Sequence, residues 1–167
     1  MQGRSLERTR DPVCGEEVPA NAHAWTHQHI KYAFCSERCR ERFKRWPHLY
    51  VGEATWGLAE KQRGKVVRKR HGIRLAAAPD DAESAALRDA VAAVKGVLSL
   101  DIRGDRVLVD YDLMQVSLSD IEAALAAAGS GLDTGVAERA RRAMIHHSEA
   151  CELDNLAHLA SHYRSMY

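Results

Sequence analysis

The chain has 167 residues, 46% of them hydrophobic and 28% charged, with a formal net charge of +1. That length and apolar content support one mid-sized domain or two small ones, and argue against wholesale disorder. A near-zero net charge supplies no global field to draw in nucleic acid or an anionic membrane. The halves differ, however: residues 1–74 carry 16 Lys and Arg against 8 Asp and Glu, and residues 75–167 carry 8 against 15. The asymmetry predicts two modules of different character. No uncharged stretch approaches the roughly 20 apolar residues of a membrane helix. Residues Met1 to Arg10 lack the apolar run of a secretory leader. The expectation is a cytoplasmic chain with no membrane insertion and no nucleic-acid partner. Its four cysteines then serve as thiolates or metal ligands rather than structural disulfides.

Taken in chain order, residues 11–52 form the first module. Asp11-Pro12-Val13-Cys14-Gly15 reads as a tight turn and Tyr32-Ala33-Phe34-Cys35 as a short strand. Ser36 is placed to cap a helix from Glu37 to Trp46, which Pro47 ends. Residues 53–70 read as a linker that finishes in the basic run Arg63 to Arg70, a solvated segment. Residues 71–132 change style. Ile73, Leu75 and Ala77 alternate as a strand requires. From Asp80 to Lys95 the apolar positions Ala86, Leu87, Ala90, Val91 and Val94 follow helical spacing, and Gly96 ends the segment. Val97 to Ile102 and Val107 to Tyr111 predict a hairpin turning at Gly104-Asp105. Ser117 caps a helix through Ala128, stopped by Gly129 and Gly131.

The order β-α-β-β-α predicts an α+β sandwich of ferredoxin-like type. Its fourth strand is confined to Leu132–Gly135, so it is short or absent. Residues 136–164 contain neither Pro nor Gly and read as one long helix.

The most informative constellation is Cys14-x20-Cys35-x3-Cys39. A zinc-like ion needs several thiolates or imidazoles converging at about 2–2.3 Å. One turn cysteine and two cysteines around a helix start can converge in that way. The positive helix end leads one to expect lowered thiol pKa values for Cys35 and Cys39. The fourth ligand comes from the intervening loop, where His29, His27 and His23 are available. A module of about 40 residues rarely folds without a staple, and metal is the usual one in a reducing compartment. Three thiolates accept zinc or copper foremost, and iron, cadmium or mercury as well.

These same words carry a resemblance. Asp11 to Gly15, then Lys31 to Phe43 with Cys35 and Cys39, then Pro47 and Tyr50, resemble a YHS domain, a small treble-clef-like metal-binding module. The resemblance implies Cys14, Cys35 and Cys39 as ligands and a heavy-metal transport ATPase as a partner. Val94 to Val97, Val107 to Asp112, Ser117 and Ile121 are similar to the middle of a heavy-metal-associated domain. That family binds soft metal through a Cys-x-x-Cys loop, where this chain has Ala78-Pro79-Asp80-Asp81-Ala82-Glu83-Ser84. The resemblance therefore implies the fold without the family's site. The acidic residues of this loop favour a helix N-terminus over a hard-cation site.

On the last helix, Met144, His147, Cys151, Asp154, His158 and His162 share one stripe. Ile145, Leu153, Leu156, Leu159 and Tyr163 gather on the other side as a packing face, against the protein or a second copy of it. Pairs four apart, such as His147 and Cys151 or His158 and His162, can chelate one ion. Two function classes follow. The first is a non-enzymatic metal-handling protein: buffer, chaperone or accessory module for metal transport. The second is a metal- or haem-dependent redox enzyme or sensor that uses the histidines of the last helix.

Overall fold

The computed structural model describes residues 7–54 and 57–162, with side chains to residue 157. The architecture is α+β and divides into two compact units, residues 1–65 with 154–167, and residues 66–153.

The first unit is built from two hairpins and two helices. Strands β1 (Arg8–Arg10) and β2 (Glu17–Pro19) pair antiparallel, with Arg10 opposite Glu17. Strands β3 (Trp25–His27) and β4 (Ile30–Tyr32) form the second hairpin. Its turn residues Gln28 and His29 both take positive φ, 48° and 65°, as a primed two-residue turn requires. Helix α1 (Glu37–Arg45) begins where Ser36 Oγ accepts the Cys39 N–H at 3.3 Å, and basic residues fill its last turn. Helix α2 (Pro47–Tyr50) follows with proline at its first position, where the missing N–H costs nothing. Phe43 on α1 gathers the core, with ring contacts to Phe34, Tyr32, Tyr50 and His27. The strand expected over 32–35 ends at Tyr32. Ala33 and Phe34 turn inward, and the Phe34 N–H leaves the ladder for Ala22 O at 2.9 Å. That departure swings Cys35 out of the sheet.

The second unit runs β5 (Arg68–Arg74), α3 (Asp81–Ala92), β6 (Val97–Arg103), β7 (Arg106–Asp112), α4 (Leu118–Ala127) and the part of α5 (Val136–His162) up to Leu153. Its sheet has the order β5-β7-β6 with every pair antiparallel. The core is formed by Ile73, Val107, Val109 and Tyr111 of the sheet with Leu87, Val91, Leu118, Ile121 and Leu125 of the helices, all buried. Asp80 caps α3: its Oδ1 accepts the Glu83 N–H at 2.8 Å while Glu83 Oε2 accepts the Asp80 N–H at 2.9 Å. The acidic loop is thus consumed by the helix start. Gly96 joins α3 to β6 at φ 98°, and a Cβ there would lie 2.6 Å from Gln115 Cβ, so only glycine fits.

Strand β5 starts at Arg68, inside the segment 53–70 read as linker. The cause is Arg70, which grips Asp110 on the neighbouring strand through two bonds of 2.7 and 2.6 Å. Ser99 Oγ donates a further bond to Asp110 at 2.7 Å. Arg70 first, then Ser99, hold the Asp110 carboxyl well below the usual carboxylate range.

The expected fourth strand shrinks to one bridge, Leu75 to Leu132. Helix α5 then supplies partners to the edge strand β5: Arg141 Nη2 donates to Gly72 O at 2.5 Å, and Lys69 pairs with Glu152 at 2.5 Å. Glu149, 3% exposed, accepts the Tyr111 hydroxyl and, at 3.0 Å, the Leu118 N–H at the start of α4. Burial foremost, and Glu149 next, push the Tyr111 phenol above its ordinary pKa. Leu153 is buried and Ile145 and Leu156 half-buried, while the side chains of Leu159 and Tyr163 lie outside the described residues. Among the described residues, no helix is long and apolar enough to cross a membrane.

Replacing Tyr111 by Phe removes one donor from a buried carboxylate. The expected loss is about 1–3 kcal/mol of stability of the second unit, measured by urea unfolding followed by far-UV circular dichroism. A loss of less than about 0.5 kcal/mol would show that the contact contributes no more than an ordinary surface pair.

Candidate metal centre

Three separate pieces of the first unit meet at one point. The loop between β1 and β2 carries Cys14, the segment after β4 carries Cys35, and the first turn of α1 carries Cys39. Asp11 joins them. Its Oδ1 accepts the Val13 N–H at 2.8 Å and the Cys14 N–H at 3.4 Å, which shapes the turn. Its Oδ2 accepts the Cys35 N–H at 2.8 Å, which fastens that turn to a segment 24 residues away. Gly15 closes the loop in the left-handed region, φ 79°, and its N–H returns to Asp11 O at 2.8 Å.

The result is a compact donor set. Cys14 Sγ and Cys35 Sγ stand 3.5 Å apart, as do Cys35 Sγ and Cys39 Sγ. One ligand atom from each of Asp11, Cys14, Cys35 and Cys39 lies within 4.8 Å of every other. Two thiolates bound tetrahedrally to an ion at 2.3 Å sit about 3.8 Å apart, so a small outward relaxation opens the cage to an ion of that size. Cys39 and Asp11 are buried, and Cys14 and Cys35 are half-buried, which leaves one side open to solvent. A metal ion can therefore be held by these side chains.

The thiols do not ionise as the helix-start placement leads one to expect. Cys14, on the turn, is the lowered one, at about 7, chiefly because Cys39 hydrogen-bonds to its thiolate. Burial foremost pushes the Cys35 thiol up to about 11. Cys39 is raised further, first by its bond to Cys14 and then by burial. Burial and the crowding of three sulfurs with the Asp11 carboxylate outweigh the helix end, and Cys14 is the first thiol of the metal-free cage to ionise.

The histidines expected to complete the set are placed elsewhere. His29 is exposed at the tip of the β3–β4 hairpin, and His23 is exposed at φ 42°. His27 rests its ring on Phe43 at 5.8 Å and faces His48 at 6.2 Å. Among the described residues the group gathered around the sulfurs contains no imidazole, and Asp11 takes the fourth place. Asp11 was legible only as a turn residue, because the N–H that reveals its role belongs to Cys35.

On α5, His147 Nε2 and Cys151 Sγ are 3.5 Å apart and both exposed. Asp154 departs from the expected stripe: its Oδ1 accepts the Trp46 indole N–H at 2.6 Å within the first unit. The side chains of His158 and His162 lie outside the described residues. No family model matches the chain, and neither a characterised protein nor a solved structure matches it.

Two outcomes check the geometry. Asn at position 11 keeps the size but loses one acceptor oxygen, so Asp11→Asn should weaken metal binding about 10- to 100-fold, read by competition with a chromogenic chelator. Metal binding must also displace the thiol protons. With Cys14 ionised above pH 7 and the other two protonated, about two protons should leave per ion at pH 8 and about three at pH 6. Affinity then rises with pH, more steeply below pH 7 than above it. Calorimetry in buffers of different ionisation enthalpy measures the count, and an equal count at both pH values contradicts it.

Proposed function

We propose that the chain is a metal-handling protein that binds one thiophilic transition metal ion through Cys14, Cys35 and Cys39. The observation that carries this reading is the convergence of three sulfurs and the Asp11 carboxylate within 4.8 Å. Zinc and copper suit three thiolates, and iron is accepted by the same set. Asp11 acts as a clasp that holds the Cys14 turn and Cys35 in reach of one ion, and stands close enough to offer an oxygen as well. Residues 11–52 are read as a YHS-like module, with the cysteine spacing as support. The second unit is read as a ferredoxin-like relative of heavy-metal-associated domains. Its element order β5-α3-β6-β7-α4 and sheet order β5-β7-β6 support this. With no cysteine in the loop before α3, that unit serves as a spacer or docking module instead of an ion carrier. The role is buffering, or delivery of the ion to a transport ATPase, in a reducing cytoplasm where free thiols persist.

The test uses the full chain purified without added metal. Elemental analysis should find an ion that Cys35→Ser releases, with about one equivalent per chain lost. All three tryptophans, Trp25, Trp46 and Trp56, lie in residues 1–65, so their fluorescence reports that unit alone. Loss of metal should shift tryptophan emission to the red and leave the helical signal of the second unit melting as before. If Cys35→Ser and the triple Cys14, Cys35, Cys39→Ser chain keep the parent metal content and melting curve, the proposal is wrong.

A further inference from the structure

Helix α5 carries a second set of soft donors. One side of it is committed inward: Glu149 to Tyr111 and Leu118, His146 Nε2 to Glu122 Oε1 at 3.2 Å, and Leu153 fully buried. That commitment fixes which side faces water, and Met144, His147 and Cys151 stand on the exposed side at positions i, i+3 and i+7. Met144 is 74% exposed. An unbranched apolar side chain so placed contributes little to packing and leaves its thioether free to coordinate.

We propose that Met144, His147 and Cys151 form a second, solvent-open site for Cu⁺. The spacing of its two stronger donors is already that of bound ligands. A thiolate at about 2.3 Å and an imidazole at about 2.0–2.1 Å from one ion sit about 3.6 Å apart at the tetrahedral angle and about 3.8 Å apart at the trigonal angle of a three-ligand ion. His147 Nε2 and Cys151 Sγ are 3.5 Å apart without an ion between them. The helix therefore presents a bidentate grip that needs no backbone movement. The third donor selects the metal. A thioether is a poor ligand for Zn²⁺ and a good one for Cu⁺. One helix face offers three ligands at most, which satisfies Cu⁺ and leaves Zn²⁺ short of its usual four. Such a site exchanges its ion readily with small thiols or with cysteines of another protein, because nothing among the described residues covers it.

This inference does not rest on the three-cysteine cage, and the test separates the two. The full chain is titrated anaerobically with Cu⁺, kept reduced by ascorbate, against a chromogenic Cu⁺ chelator. His147→Ala and Cys151→Ser each change an exposed side chain and keep the cage intact, and circular dichroism checks the fold. Each should hold one Cu⁺ fewer than the parent, whether or not the cage itself binds. Met144→Leu should release Cu⁺ to the chelator more readily while Zn²⁺ binding stays unchanged. Equal copper content in the parent and both variants overturns the site. A loss in Cys151→Ser with none in His147→Ala reduces it to a reactive thiol and also overturns it. No effect of Met144→Leu removes the thioether and with it the assignment to Cu⁺.

Discussion

The carboxylate of Asp11 joins two parts of the first unit that nothing else in the cage joins by backbone. It is 1% exposed and receives three backbone N–H groups, two from its own turn and one from Cys35. A buried carboxylate is tolerated only when its lone pairs are filled, so parting this turn from this segment would leave a buried acceptor without its donor. The cage inherits that constraint. Cys14 comes from a loop and Cys35 from an irregular segment, and neither element is rigid alone; their shared acceptor makes them so. The aromatic cluster around Phe43 packs the same helix, α1, one turn beyond Cys39.

The second unit uses the same device with different partners. Asp112 accepts from Val67, Met114 and Gln115, and Glu149 from Tyr111 and Leu118. Each of these acids ties segments that are distant in sequence. Buried ionised groups contribute little net stability but are costly to leave unpaired, so they act as register pins rather than as glue. An antiparallel sheet of three strands, with an edge strand rich in arginine, needs such pins, because β5 has few apolar side chains to set its register.

Much of the second unit was legible from local chemistry. Ser117 begins a helix as read, as Ser36 does in the first unit, the helical run after Asp80 is in place, and the Val97–Ile102 and Val107–Tyr111 runs form the expected hairpin. Such signals involve neighbours within four residues or one turn, and a single sequence displays them. What was not legible depends on distant partners. Arg68 to Arg70 read as linker because the residue that makes them a strand, Asp110, lies 40 positions after Arg70. The β1 to β4 strands have three residues each, too few for alternation to register. The three cysteines could be singled out by spacing and helix start, whereas the fourth member of their group could not. Loop histidines are the usual choice by residue type, and the primed turn at Gln28-His29 carries His29 away to the hairpin tip.

The cage and the second unit also differ in when they can be completed. Strand β5 finds its edge partners only in residues 131–152, so the second unit closes on contacts far apart in sequence. The cysteine cage, by contrast, is assembled wholly from residues 11–39. Short loops close faster than long ones and their contacts form earlier in synthesis. A nascent chain therefore presents its three sulfurs together while the sheet that follows is still unpaired. An ion captured at that moment would stabilise the segment around the cage by mass action well before the rest of the molecule folds.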